Sequence, residues 1–218
     1  MRAALQALLQ FQTEVPVAGL PVYGAERLAQ ELALFAHCCV QRHFGRAWTE
    51  AEQALWGRVS QRLVDSAAAQ PVVAVLGHWS LADAERPPAA GTAQAGPVTC
   101  DLVALLRDQP HTDDESLELD WSVRWWKGAQ HASLPVDADF GEFWRALEWM
   151  GLHRQLMLLG RACREHHEGG AIDTELAEKL AAGLAAASKV ALRYGPLKPL
   201  LRLLQPQQGE TLGVGYTF

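Results

Sequence analysis

No stretch of roughly 18 consecutive apolar residues, the length that a membrane-spanning helix needs, occurs in the chain, so we expect no membrane span. Hydrophobic residues still make up 49% of the 218 positions, which is enough for a sizeable core in one large domain. The first residues, MRAALQALLQFQTEV, lack the charged head, apolar stretch and small-residue cleavage site of a secretory signal. We therefore expect a cytoplasmic protein.

Positive charge is also scarce. The chain has 19 Lys and Arg residues against 25 Asp and Glu residues, and its formal net charge is −6. Proteins that bind nucleic acid contact the phosphates through clustered Lys and Arg side chains. The composition therefore excludes nucleic acid as an expected partner.

Cysteine is limited to four residues, and their spacing matches neither a CxxC motif nor a zinc-binding pattern. Cys38 and Cys39 are adjacent, so on a helix their side chains would point to different sides. Cys100 and Cys163 stand far apart in the sequence. We predict four buried, unbridged thiols in a reducing compartment.

Apolar residues at helical spacing dominate the rest of the chain and predict a mainly α fold. Thr49 and Glu52 belong to the segment TEAE, a capping box that opens one of the helices. Helices are predicted over 2–12, 25–43, 49–66, from 102, from 121, over 140–168 and from a cap at Asp173 or Thr174.

One segment, Val72–Leu76, has the β-branched residues typical of a strand. Residues 83–97 are rich in Pro and Gly and are predicted to form a loop or an irregular turn. We place the globular part at 1–204 and expect an extended or mobile tail over 205–218.

Three segments resemble one family. GPVTCDLVALLRD (96–108), DFGEFWRALEWMGLHRQLMLLG (139–160) and RYGPLKPLLRLL (193–204) are similar to the C-terminal lobe of the aminoglycoside phosphotransferase and choline kinase superfamily. They look most like the bacterial anomeric kinases of N-acetylmuramate and N-acetylglucosamine. The resemblance covers most of 1–204 and implies an α+β kinase-like C-lobe: a helical bundle with a short strand at the catalytic loop.

The catalytic loop departs from the motif of that family, H-x-D-x-x-x-x-N, which follows a short strand. In such kinases the Asp orients or deprotonates the attacking hydroxyl, and the Asn holds magnesium. Here His78 matches the motif His, but Ser80 stands at the Asp position and Glu85 at the Asn position. The resemblance therefore implies a degenerate loop, His78, Ser80, Asp83 and Glu85, with no intact catalytic set.

Two further features of the family are not found. A second loop upstream of Gly96 should supply an Asp as a metal ligand, but Ala89–Thr92 contains no carboxylate. Segment 1–15 already resembles the helix that follows the interlobe hinge, and Lys127, Lys179, Lys189 and Lys198 all belong to C-lobe segments. We therefore expect an absent N-lobe.

Other residues leave two interpretations open. Asp83 and Glu85 could hold a metal in an altered geometry or be solvated loop charges, and His78 could be catalytic or could bond to backbone. His166 and His167, between Glu165 and Glu168, invite a metal site, but adjacent helical positions diverge by about 100°, so partners from elsewhere would be needed.

The remaining candidates concern ligand binding. Trp121, Trp125 and Trp126 could form a sugar platform or pack in the core. The acidic residues 113–120 could bind a cation or be solvated. Three side chains of the long family-like helix are left without a role: Glu142, Glu148 and His153.

These observations favour a non-catalytic, pseudokinase-like domain that binds a protein or a small ligand and needs no cofactor. Its partner would be another protein, or a second copy of the chain, at the face that an N-lobe would cover; a sugar in the former substrate pocket is the other hypothesis. The alternative is an active phosphotransferase for an amino sugar that uses ATP and Mg²⁺, either through Asp83 and Glu85 or through an N-lobe supplied in trans.

Overall fold

A computed structural model describes residues 1–85, 91–107, 115–169 and 173–204 of the chain, and all structural statements below refer to these residues. They form a mainly α fold, as predicted. The α-helices are α1 (Arg2–Glu14), α2 (Ala25–Leu34), α3 (Glu50–Ala68), α4 (Leu81–Glu85), α5 (Cys100–Arg107), α6 (Glu115–His131), α7 (Phe140–His167), α8 (Asp173–Arg193) and α9 (Leu201–Leu204). A 3₁₀ segment, Gly195–Leu200, leads into α9.

Two antiparallel strands, β1 (Val72–Val75) and β2 (Gln94–Pro97), form a hairpin-like pair with Val72 opposite Pro97 and Val75 opposite Gln94. Residue Val22 forms a parallel bridge to Ala95 on the other side of β2. The predicted strand is therefore confirmed, with a partner that the sequence did not indicate.

The prediction of a loop over 83–97 is wrong at both ends. Residues 83–85 belong to α4, and residues 94–97 form β2; residues 86–90 lie outside the description. Gly96 and Pro97 are weak strand formers, but pairing with β1 and burial override local preference. Pro97 is the last residue of its strand, a position where a missing N–H is tolerated.

The capping box at the start of α3 is confirmed. The Thr49 hydroxyl accepts a hydrogen bond from the Glu52 N–H, and the Glu52 carboxylate accepts one from the Thr49 N–H. The backbone N–H groups of Thr49 and Glu52, which have no partner within the helix, therefore both form hydrogen bonds. At the start of α8, the predicted cap by Asp173 or Thr174 involves the Asp173 side chain, which is outside the description.

The predicted helix over 25–43 is continuous but changes its geometry. Residues Phe35–His43 form a π-helix that continues α2, and the Phe44 N–H donates to the Cys39 carbonyl five residues earlier, at 3.0 Å. Such wide turns are rare and are often found at functional sites. The apolar spacing predicts the helix but does not reveal the change of period.

Helix α7 runs through the core and touches the π-helix, α8, α2, α5 and α3. At Gly160 it approaches the backbone of Leu34 and Phe35 so closely that an added Cβ would lie 2.5 Å from their main-chain atoms. Helix α7 can therefore cross the end of α2 this closely only because residue 160 is a glycine, which has no side chain.

The four cysteines are free and buried, as predicted. No helix among the described residues combines the length and apolar character needed to cross a bilayer. The predicted tail, 205–218, lies outside the described residues.

Gly160→Ala is expected to lower the free energy of unfolding by about 1–3 kcal/mol, because the new methyl group would overlap the backbone of the π-helix start. Gly57→Ala is the matched control: it lies on the exposed face of α3, where an added Cβ meets nothing within 4 Å. That change should raise stability by about 0.5–1 kcal/mol. Urea unfolding of both variants measures the two effects, and equal shifts would contradict the packing argument.

Candidate functional site: a kinase-like loop

The loop that follows β1 is fixed by a buried carboxylate. The backbone N–H groups of Leu76 and Gly77 donate to the two oxygens of Asp101, each at 2.7 Å. Asp101 is fully buried, in the second position of α5. It therefore ties the start of the loop to the start of α5 at two points.

Burial raises the pKa of Asp101 to about 6, although the two N–H donors and the nearby charge of Arg154 oppose this rise. Arg154 on α7 donates from Nη1 to the Gly77 carbonyl at 2.8 Å. The N–H group of Gly77 is thus bound by the Asp101 carboxylate, and its carbonyl group is bound by the Arg154 guanidinium. Gly77 itself has φ of +79°, a conformation that suits glycine.

His78 and Trp79 point in opposite directions from this frame. The exposed His78 ring lies with Nδ1 2.9 Å from the Leu76 carbonyl oxygen. Trp79 is buried and packs on Phe11 of α1 with ring centroids 5.1 Å apart. Trp79 therefore anchors the loop to the core, while the His78 ring is held by the backbone of Leu76 in the same loop.

Ser80 and Asp83 bind each other. The Asp83 carboxylate accepts both the backbone N–H and the hydroxyl of Ser80, each at 2.7 Å. Ser80 directly precedes α4, and Asp83 is its third residue, so the pair is arranged like the reach-back half of a capping box. The Glu85 side chain lies outside the description.

The described part of the loop does not fit a magnesium ion. Mg²⁺ requires near-octahedral oxygen ligands, whereas Asp83, the one carboxylate in 76–83, is engaged by Ser80. Across the described residues, no group of three or more His, Cys, Asp or Glu side chains is arranged to hold a metal ion. In the second loop, Ala89 and Ala90 lie outside the description.

The tryptophans of α6 do not form a shared platform. Trp125 is buried and stacks on Phe143, with centroids 5.8 Å apart and planes 15° from parallel. Trp126 meets the Phe140 ring edge-on and donates its indole N–H to the Asp137 carbonyl. The core-packing interpretation therefore holds for Trp125. Of the acidic stretch, 113 and 114 lie outside the description, and 115–120 begin α6.

Three side chains of α7 that had no assigned role take different positions. Glu142 is exposed and pairs with Arg145. His153 is fully buried, and its Nε2 lies 2.9 Å from the Leu28 carbonyl oxygen. Burial lowers the pKa of His153, so it is a neutral core residue. Glu148 is buried and bonded to the side chains of Arg193 and Tyr194.

His166 and His167 do gain a partner from elsewhere. The ring of His43, at the end of the π-helix, lies 5.7 Å from His166 and 5.6 Å from His167, centroid to centroid. Desolvation, with the positive charges of Arg42 and His166, lowers the pKa of His167. The three rings form an edge-to-face cluster rather than a set of converging ligand atoms.

Sequence reasoning missed Asp101 and Arg154 as parts of the site. Asp101 stands at the start of α5, but its carboxylate accepts hydrogen bonds from the loop 24 and 25 residues earlier. The position of Asp101 in the sequence could have indicated its role. It directly precedes LVALL, a wholly apolar run, and a charged residue in a buried segment needs polar partners.

Comparisons with known proteins give a consistent set of relatives. No protein-family model matches the chain. An N-acetylmuramate/N-acetylglucosamine kinase of Neisseria meningitidis is 32% identical over 99% of this chain. Proteins of the same name from Pseudomonas putida and Pseudomonas aeruginosa are 37% and 36% identical, each over 77% of this chain.

The chain spans only part of these relatives: 66% of the Neisseria protein and 51% of each Pseudomonas protein. The similarity therefore supports the amino-sugar kinase relationship along almost the whole chain, while the activity of the complete relatives concerns longer proteins. The expected absence of an N-lobe stays a prediction.

Asp101→Asn tests the buried anchor through its pH dependence. The raised pKa means that ionisation of Asp101 opposes folding, so this residue's contribution to stability falls as pH rises from about 4 to about 6. Asn does not titrate. We expect the free energy of unfolding of the variant, minus that of the unchanged protein, to increase over this interval and then level off.

Urea unfolding at pH 4.5, 5.5, 6.5 and 7.5 measures the difference, and the other acids cancel because they are common to both proteins. Asp83→Asn is the matched control, since Asp83 is half-exposed. A difference between Asp101→Asn and the unchanged protein that stays constant with pH would contradict the raised pKa.

Proposed function

The chain belongs to the N-acetylmuramate/N-acetylglucosamine kinase family, and we propose that it is a non-catalytic member that binds an amino sugar without transferring phosphate. The observation that carries this proposal is the Ser80–Asp83 pair. A serine stands where the family places its catalytic Asp, and the nearest carboxylate is used to hold that serine.

Phosphoryl transfer depends on positioning and on neutralising charge at the transferred group. Ser80 is a poor general base because a neutral hydroxyl oxygen has little affinity for a proton, whereas the carboxylate of an Asp can accept one from the attacking hydroxyl. Asp83 accepts two hydrogen bonds through Oδ2, which hold its carboxylate against Ser80, and one carboxylate supplies only part of the octahedral ligand set of Mg²⁺. The loop as described is therefore poorly suited to phosphate transfer.

The contacts around the loop support a loop that stays folded. Asp101 and Arg154 hold the peptide groups of Leu76 and Gly77 in place, and Trp79 seals the loop against α1. What the loop has lost is confined to the reacting positions.

A protein partner is the second form of the proposal. Large apolar side chains are exposed around the strand pair: Val22 is 76% exposed, Val72 50% and Leu81 40%. Large exposed apolar patches are typical of interaction surfaces, and these three side chains are the candidates near the strand pair. Light scattering over a concentration series tests self-association, and a monomer at every concentration that also captures no partner would contradict this form.

Ligand binding is tested first by thermal shift. N-acetylmuramate and N-acetylglucosamine are expected to raise the unfolding temperature without magnesium, since a ligand at 100 times its dissociation constant stabilises a fold by roughly 2.7 kcal/mol. ATP, with or without magnesium, is expected to leave it unchanged. Mannitol at the same concentration controls for the general effect of polyols.

A magnesium-dependent shift with ATP, together with phosphate transfer to either sugar, would overturn the proposal in favour of an active phosphotransferase. In that case Asp83→Ala would abolish the ATP shift. Under our proposal, Asp83→Ala loosens the start of α4 and leaves the sugar response intact. No response to either sugar would overturn amino-sugar binding.

A further inference from the structure

The π-helix and α7 lie side by side and touch at two levels. At the first level, a Cβ added to Gly160 would lie 2.5 Å from the backbone nitrogen of Phe35. At the second level, the rings of His43 and His166 lie 5.7 Å apart, centroid to centroid. Because the residue numbers rise from the first level to the second in both elements, the two helices run parallel.

One cysteine of each helix lies between these two levels. Cys163 follows Gly160 by three residues, and Cys39 follows Phe35 by four, so each cysteine is about one turn further along its helix. Both side chains are fully buried, and the two thiols form a hydrogen bond with each other. The positions between two contacts of parallel helices explain why these thiols meet.

The shared hydrogen bond makes the two thiols unequal. It lowers the pKa of Cys163, whose sulfur accepts the bond, and together with burial it raises the pKa of Cys39, whose S–H donates. The thiolate is the nucleophilic form of cysteine. Cys163 is therefore the more reactive sulfur of the pair, and Cys39 is a second thiol in contact with it.

The other two cysteines lack this arrangement. Cys100 lies in α5, and burial raises the pKa of its thiol well above the usual range. Cys38 precedes Cys39 on the π-helix, where consecutive side chains point in different directions. These two thiols serve as internal controls for the pair.

Both helices end one turn beyond the pair. His43 is the last residue of the π-helix, and His167 is the last residue of α7. Their rings lie 5.6 Å apart, centroid to centroid, and both are half-buried. The ends of structural elements open locally at little cost in free energy, so a molecule as small as hydrogen peroxide can reach the thiols there.

We propose that Cys39 and Cys163 are a modification site, at which a hydroperoxide converts the two thiols into a reversible disulfide. The Cys163 thiolate attacks an oxygen of hydrogen peroxide, the O–O bond breaks, and Cys163 becomes a sulfenic acid while hydroxide leaves. The Cys39 sulfur then attacks the Cys163 sulfur, and the S–O bond breaks. The proton of Cys39 leaves with this oxygen as water, so the two thiols are oxidised by two electrons and the peroxide is reduced.

The disulfide would join the π-helix to α7 covalently. Cys39 and Cys163 are far apart in the sequence, and a cross-link between such positions restricts the unfolded chain more strongly than one between near neighbours. The oxidised chain is therefore expected to unfold at a higher urea concentration than the reduced chain. A dithiol such as dithiothreitol reverses the bond by thiol–disulfide exchange.

Peroxide treatment of the unchanged chain tests the site directly. We expect the free thiols, counted after denaturation, to fall from four to two and to return with dithiothreitol. Tryptic digestion without reduction should join peptide 162–164, which contains Cys163, to peptide 28–42, which contains Cys39. The variant Cys38→Ala/Cys100→Ala retains only the pair and should lose both of its thiols to the same cross-link.

Cys39→Ala leaves Cys163 without a second thiol. We expect peroxide to stop at a sulfenic acid on Cys163, which dimedone traps, and the urea midpoint not to rise. Cys38→Ala is the matched control, because it removes the neighbouring buried thiol of the same helix; it should keep the cross-link and the rise in the urea midpoint.

Three results on the unchanged chain would overturn the proposal, and none depends on whether the variants fold. The first is survival of all four thiols under conditions that oxidise free N-acetylcysteine. The second is a disulfide that involves Cys38 or that joins two molecules. The third is an oxidised chain that unfolds at the same or a lower urea concentration than the reduced chain.

Discussion

The hydrogen bonds between the Asp101 carboxylate and the Leu76 and Gly77 N–H groups determine much of the rest of the site. They join the end of β1 to the start of α5, and they place the Gly77 carbonyl where Arg154 of α7 reaches it. A buried carboxylate without such donors would strongly destabilise the fold. Because each partner satisfies another, the anchor is lost or kept as a unit, and substitutions outside it, such as serine at position 80, leave it undisturbed.

The groups that shape the kinase-like loop are separate from the side chains that follow it. The groups that shape the loop are backbone amides, one buried acid and one arginine. The groups that would react lie beyond them, at Ser80 and after it. In their place the chain has a polar contact between Ser80 and Asp83 that begins a short helix. The shape of the loop therefore depends on the anchor, and not on the side chains at Ser80 and after it.

The sequence indicated those parts that depend on local pattern. The helical spacing, the Thr49–Glu52 box and the Val72–Val75 strand are short-range properties, and each was found where it was predicted. β2 was missed because a strand with Gly and Pro is stable only through its partner. Asp101, Arg154 and Arg193 were missed because their roles depend on residues 24 to 77 positions away, and no periodicity encodes such distances. The π-helix was not predicted because its apolar residues still repeat at nearly α-helical intervals.

Helix α7 contributes neighbouring residues to two places. Arg154 binds the loop at Gly77, and Gln155, the next residue, lies against Gly183 of α8, where an added Cβ would be 2.5 Å from its Nε2. A rotation of α7 that adjusts one of them to a ligand moves the other through the same angle, since both are attached to a single rigid backbone. The contact with the loop at Gly77 and the packing of α7 on α8 therefore cannot be adjusted independently.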